Sequence, residues 1–253
     1  MKICNLASGS TGNCTYIETG GLKILIDLGK TKQYIETKLK EIGVNAKDID
    51  YVFLTHTHND HTSALKTFLK GKKTILVLTT EMFSQLSDID NFNLMIYEED
   101  PNIPNLDIKT YKMSHDAGDT RAFVITENDK SLVYITDTGY INSRYLKKMY
   151  GKTAYFIECN HDIEMLTHGP YPEWLQKRVL SDVGHLSNKF TGIYLSKMIN
   201  ENTKEIALMH LSEKNNTEMC ALETVNNALS DNDIKNIEII CARPNEQTKV
   251  VEL

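Results

Sequence analysis

A chain of 253 residues with 41% hydrophobic and 25% charged residues has the composition of a soluble globular protein. That excludes disorder, collagen-like repeats and a disulfide scaffold as descriptions of the whole. The 34 acidic against 28 basic residues leave a formal net charge of −6 and a pI near 5.8, which on its face argues against gripping nucleic-acid phosphates.

In chain order, strand-like apolar segments are Lys2–Ala7, Thr15–Glu18, Lys23–Ile26, Tyr51–Thr55 and Thr74–Leu78. Leu106–Tyr111, Ala122–Thr126, Leu132–Thr136, Ala154–Glu158, Ile206–Met209 and Ile237–Ile240 follow. Helical periodicity is expected over Thr31–Ile42, Thr62–Leu69, Glu81–Leu86, Ser143–Met149, Trp174–Leu180, Lys189–Ile199 and Thr217–Leu229. Early strands are joined by short glycine turns such as Thr19-Gly20-Gly21, and later strands alternate with helices. This order predicts an α/β (α+β) protein with antiparallel-rich sheets and helices packed outside. With no linker, repeat or low-complexity tract, residues 1–253 read as one domain.

Five scattered cysteines (Cys4, Cys14, Cys159, Cys220 and Cys241) form no Cys-x-x-Cys pair, the usage of a reducing compartment. No apolar run reaches the ~20 residues of a membrane helix, and Met1–Thr15 has no apolar stretch of signal-peptide length. A cytoplasmic protein without membrane contact is expected.

The densest chemistry is Thr55-His56-Thr57-His58-Asn59-Asp60-His61, directly after the apolar strand Tyr51–Leu54. Imidazoles and a carboxylate within one loop are ligands for zinc, iron or manganese. His115, Asp137 and His210 each follow a predicted strand in the same way, so one sheet edge is expected to gather all of them.

His56-x-His58-x-Asp60-His61 with His115, Asp137 and His210 resembles the five motifs of the metallo-β-lactamase-fold hydrolases, over nearly the whole chain. The resemblance implies a four-layer αββα sandwich. It also implies two divalent ions (Zn, Mn or Fe): one on His56, His58 and His115, the other on Asp60, His61 and His210, with Asp137 bridging. Asp137 stands where β-lactam hydrolases of the family carry Cys, the pattern of the phosphodiesterase and thioesterase branches. Asp27, ending Lys23–Ile26, is expected to support a metal-bound His from behind.

Four stretches narrow the branch: Ala7-Ser8-Gly9-Ser10-Thr11-Gly12-Asn13, Glu158-Cys159-Asn160-His161-Asp162, Gly184-His185-Leu186-Ser187-Asn188, and Met209–Asn216. Together they resemble the WalJ/YycJ-type subgroup of DNA exonucleases. The resemblance implies phosphodiester hydrolysis in which Asp60 orients a hydroxide shared by the two ions. His185, similar to the G-H-S histidine of the tRNA-processing branch, contacts phosphate or protonates the leaving oxygen. Ser10, Asn13, Asn160, His161, His185 and Asn216 are the expected substrate contacts. Asp137 and His210 are 73 positions apart, an interval filled by predicted elements, so a β-CASP insertion is not expected.

Two divalent ions offset by Asp60, Asp137 and a hydroxide leave about +1 at the centre, so a nucleic-acid or nucleotide phosphodiester remains an admissible partner despite the acidic surface. Lys66, Lys70, Lys72, Lys73, Arg144, Lys147 and Lys148 are candidate backbone-holding residues. The rival substrate class is small or cyclic nucleotides. Oligomeric state is left open by the sequence.

Overall fold

The structure, a computed structural model, describes residues 1–235 and 237–253. In chain order the strands and helices begin β1 (Lys2–Ala7), β2 (Cys14–Thr19), β3 (Leu22–Ile26), α1 (Lys32–Glu41), β4 (Tyr51–Phe53), α2 (Asn59–Thr62) and α3 (Leu65–Leu69). They continue with β5 (Ile75–Thr79), α4 (Thr80–Gln85), β6 (Asn93–Tyr97), β7 (Asp107–Met113), β8 (Thr120–Glu127), β9 (Lys130–Ile135), α5 (Ser143–Met149) and β10 (Ala154–Glu158). The last are α6 (Ile163–Thr167), α7 (Glu173–Leu180), α8 (Asn188–Met198), β11 (Glu205–Met209), α9 (Glu218–Ser230), β12 (Glu238–Cys241) and β13 (Val251–Glu252).

The strands form a seven-stranded sheet, ordered β13-β1-β2-β3-β4-β5-β6, and a six-stranded one, ordered β12-β11-β10-β9-β8-β7. Alternation along each strand gives both sheets two apolar faces. Outward-facing Cys4, Tyr16, Leu25, Val52 and Leu76 of the first sheet pack under Ile35, Leu39, Phe68 and Met82 of α1, α3 and α4. Val133, Ile135, Tyr155, Ile157 and Leu208 of the second lie under Tyr145, Met149, Leu195, Met198 and Val225 of α5, α8 and α9. The inner faces meet through Ile17, Ile24, Phe53, Val77, Phe123, Ile125, Tyr134 and Phe156, with Phe53 and Phe123 edge to face at 5.5 Å. Three apolar interfaces between four layers make the molecule an αββα sandwich, as the resemblance implied.

The expectation of antiparallel-rich sheets is corrected. Parallel ladders join β3–β4, β4–β5, β5–β6, β9–β10, β10–β11 and β11–β12, against five antiparallel ones. Among the described residues, β1–β3 and β7–β9 form the antiparallel meanders. The turn at Gly20 and Gly21, both at positive φ (60° and 76°), closes the β2–β3 hairpin with the twist that such strands need. Strand β6 was not foreseen, because as a half-exposed edge strand it lacks a clean apolar alternation. The helix expected over Thr62–Leu69 is divided between α2 and α3, with α2 starting at Asn59.

Parallel packing matters for the site. It directs the C-terminal ends of β3 and β4, and of β9, β10 and β11, to one edge of the sandwich, where the loops of both sheets meet.

Candidate metal centre

Each site residue stands just past a strand. Asp27 follows β3, His56–His61 follow β4, His115 follows β7, Asp137 follows β9, and His210 follows β11. Asp27, Asp137 and His210 have left-handed backbone (φ 62°, 46° and 56°), which turns each side chain off its strand direction. Such conformations cost about 1–3 kcal/mol apiece and persist where the surroundings over-determine them.

The surroundings do so at Gly29. A Cβ there would fall 1.6 Å from the Asp60 carbonyl oxygen, so only glycine lets the β3 turn touch α2. Asn13 N–H donates to that carbonyl (2.8 Å), and Gly29 N–H donates to Asn13 O (2.8 Å). The opening loop, the β3 turn and the histidine loop are thereby sewn together.

Hydrogen bonds made on the outside of the site set the face each imidazole shows inward. His61 Nδ1 donates to Asp27 Oδ2 (2.7 Å), and Asp27 is itself held by Thr55 N–H (2.9 Å) and Thr55 Oγ1 (2.8 Å). His56 Nδ1 lies 3.1 Å from Thr55 Oγ1, which spends its proton on Asp27 and therefore accepts here. His115 Nδ1 donates to Gly184 O (3.1 Å), and His210 Nδ1 to Glu158 Oε1 (2.9 Å). In all four rings Nε2 is the nitrogen left facing the centre. His58 is reversed: Nε2 faces Asp116 Oδ1 at 3.8 Å and Nδ1 points in, 3.3 Å from His115 Nε2. Arg178 holds Asp116 through two bonds (2.6 and 3.0 Å).

His56, His58 and His115 offer nitrogens within 4.8 Å of one another, as do the ligand atoms of His56, His61 and Asp137. Asp137 stands between the groups, Oδ2 3.2 Å from His61 Nε2 and Oδ1 3.9 Å from His115 Nε2. Asp60 Oδ2 lies 3.6 Å from His61 Nε2 and 3.8 Å from His210 Nε2. His56 Nε2 and His210 Nε2 are buried without a hydrogen-bond partner among the described residues. Buried, unsatisfied nitrogens facing carboxylates are costly for a metal-free protein and ordinary for a ligand shell. The donor set fits divalent metal binding.

Electrostatics divide the set: burial opposes charge on His61, but Asp27 and Asp137 overcome it and raise His61 well above the ordinary imidazole value. His61 and His210 thus each hold a proton that a bound ion would displace. Burial drives His56 well below the ordinary imidazole value and lowers His115, leaving both neutral with lone pairs available. Burial opposes charge on His210 too, but Asp137 and Glu158 outweigh it and raise it to about 9. Asp137 is held well below the carboxylate range: its burial is outweighed by His210 and His61.

His185 reaches the same centre, Nδ1 2.8 Å from Glu158 Oε1 and 3.6 Å from Asp137 Oδ1. Glu158, which the sequence marks only as part of a branch-narrowing stretch, accepts from His185, His210, Thr138 N–H and Leu186 N–H, and is fully buried. Its signal was the one that marks its neighbours, a polar residue closing an apolar strand.

Of the expected substrate contacts, Ser10 is exposed and lines a groove of about 450 Å³ with Lys30, Tyr34 and Asp60. Asn13 is buried, its amide exchanging bonds with Gly9 and lying 3.0 Å from His61 Nε2. Asn160 donates to His210 O (2.8 Å), and Asn216 to Cys159 O, Asn160 O and Asn188 Oδ1, so both amides are spent on bracing loops. His161 is buried beside a small pocket that His185 also lines. Among the candidate phosphate holders, Lys66 is paired with Asp88 (3.0 Å) and Lys72 with Glu36 (3.3 Å). Arg144 lines a groove with Lys112 and Tyr140.

Comparison with known proteins agrees with this geometry. Residues 7–81 match the family described as Metallo-beta-lactamase superfamily. The chain is 34% identical over 244 residues to exodeoxyribonuclease WalJ of Streptococcus pneumoniae serotype 2, covering 92% of this chain and 90% of that one. It is 33% identical over 233 residues to exodeoxyribonuclease YycJ of Bacillus anthracis, covering 89% and 88%. In fold it is similar to the metallo-beta-lactamase fold protein YhfI of Bacillus subtilis, with a TM-score of 0.73 at 18% identity over 98% of both chains. A histidine loop within the matched segment, a site completed from the other sheet and kinship along nine-tenths of the chain place this protein in the WalJ/YycJ family of the metallo-beta-lactamase superfamily.

Proposed function

We propose that this chain is a two-metal phosphodiesterase that removes nucleotides from the ends of DNA. The observation that carries the chemistry is that ligand atoms of His56, His58 and His115, and of His56, His61 and Asp137, gather within 4.8 Å, with Asp60 Oδ2 3.6 and 3.8 Å from the Nε2 atoms of His61 and His210. The choice of substrate rests on kinship with two proteins named exodeoxyribonucleases.

His56, His58 and His115 would hold one ion, and Asp60, His61 and His210 the other, with Asp137 between them. Zinc, manganese and iron all suit this nitrogen-and-carboxylate set. The bound ions supply Lewis acidity toward the phosphoryl oxygens and an acidified attacking water. The chain's own part is positional. Asp60, its side chain partly open to the groove, orients the attacking water as a hydrogen-bond acceptor. His185, its Nδ1 committed to Glu158, offers Nε2 to the leaving oxygen or its phosphate. Asp27, Thr55, Glu158 and Asp116 hold the imidazoles in register. Residues 1–253 act as one unit with no β-CASP insertion, and the free thiols suit a cytoplasmic setting.

The test is hydrolysis of end-labelled duplex DNA by purified protein with Mn²⁺, Zn²⁺ or Fe²⁺, with cyclic nucleotides assayed alongside. Mononucleotides released from the labelled end are the expected product. Asp60→Asn should retain part of its metal and lose about 100-fold or more in turnover. Unchanged turnover in that variant overturns the assignment, and preferential hydrolysis of cyclic nucleotides overturns the substrate.

A further inference from the structure

Beside the metal centre lies a pocket of about 120 Å³ that the chemistry above does not use. His185 is their common wall: it lines the pocket and bonds Glu158 within the centre. The pocket's other walls include Tyr140, His161, Asp182, Phe190 and Tyr194. We propose that it receives the unstacked base of the terminal nucleotide whose phosphodiester lies at the metals, an inference that rests on the exonuclease reading above.

Three observations converge on a base. His161 is 1% exposed, yet neither ring nitrogen has a hydrogen-bond partner among the described residues. Leaving a buried polar group unsatisfied is costly, so a site that keeps two such nitrogens beside a cavity is built for a ligand with its own donors and acceptors. Burial lowers His161 to about 4, so its ring is neutral and offers one donor and one acceptor, the pairing a base edge presents.

The second observation is aromatic. Phe190 and Tyr140 are 48% and 39% exposed at the pocket, and Phe190 stacks loosely along α8 on Tyr194, 6.4 Å between ring centres at 30°. Exposed rings of this kind are the platforms on which single-stranded bases stack. The third is charge: the lining has no Lys or Arg and includes Asp182, which disfavours a phosphate and tolerates a neutral heterocycle with an exocyclic amine. At about 120 Å³ the pocket is too small for a base pair.

The experiment compares kcat/KM of the metal-loaded protein on a duplex with an ordinary terminal nucleotide and on one whose terminal residue is a tetrahydrofuran abasic sugar. Wild type should prefer the base-bearing end by about 5- to 150-fold, the range that stacking of one base supports. Phe190→Ala, at an exposed position, and His161→Leu, at a buried one without side-chain hydrogen bonds, should each bring that ratio toward one. A wild-type ratio near one, with both ends degraded, overturns the base pocket and leaves the exonuclease standing. Release of nucleotides from neither end, while bis(p-nitrophenyl) phosphate is hydrolysed, overturns the DNA reading and the pocket with it. Equal losses on both substrates in the variants would assign Phe190 and His161 to structure alone.

Discussion

At the residue scale, this centre is a set of imidazoles whose orientation is decided one bond away from the metal side. Glu158 is the extreme case: one fully buried carboxylate receives the Nδ1 protons of both His185 and His210 while two backbone N–H groups hold it still. Removing the charge and keeping the shape isolates that role. Glu158→Gln should weaken metal binding about 10–100-fold, read by competition with a chromogenic zinc chelator, because His210 loses its anionic anchor. Tight metal binding in that variant would mean that the backbone alone orients His210. The histidine loop was legible in the sequence because its four ligand-type residues lie within six positions. Glu158 carried only the mark of a polar residue closing an apolar strand, and Thr55 and the Asp116–Arg178 pair carried none, since their roles come from residues tens of positions away.

At the element scale, parallel ladders do the aiming. Adjacent β9, β10 and β11 run in register, Ile157 beside Ile135 and Leu208, and so deliver Asp137, Glu158 and His210 to one edge. At the opposite end of the same ladder Glu205 lies beside Glu238. Burial, with Glu238 adding to it, raises the Glu205 carboxyl to about 7. The folded state therefore holds this proton more tightly than the unfolded chain. Stability is complete below the ordinary Glu value and is lost as pH rises toward 7 and beyond. Glu205→Gln removes the charge, so its melting temperature should exceed that of wild type at pH 8 by more than at pH 5. Calorimetry at the two pH values checks this, and a pH-independent difference would sink it. The expected antiparallel pairing holds for β1–β3 and β7–β9 but not for β3–β6 and β9–β12, because fully buried parallel strands and buried antiparallel ones share the same apolar run.

At the scale of the whole molecule, the centre is a seam. His56, His58, Asp60 and His61 come from the first sheet, and His115, Asp137 and His210 from the second. An ion held across the seam ties the two halves of the sandwich together and binds only the folded state. Free metal at a hundred times its Kd should therefore stabilise the fold by about 2.7 kcal/mol. Chelation should lower the melting temperature by roughly 5–11 °C for a domain of this size. A melting temperature unmoved by chelator and restored metal would show that no ion bridges the sheets. The acidic net charge of −6 describes the surface as a whole; Lys66 and Lys72, neutralised by Asp88 and Glu36, add nothing to a DNA track. Binding should then lean on the centre and a few phosphates, and depend only shallowly on salt.

By itself the sequence determined most strands and helices and the seven ligand-type residues, because each is written locally, in apolar period and in residue chemistry at strand ends; the four layers followed from the family resemblance that those residues carry. Tertiary structure decided which ring nitrogen faces inward, that Glu158 anchors two histidines, and that Asn160 and Asn216 brace loops. It also decided that His161 lies unsatisfied beside a pocket walled by Phe190 and Tyr140. Those properties belong to pairs of groups that only packing brings within bonding distance, and no pattern along a single strand or helix encodes them.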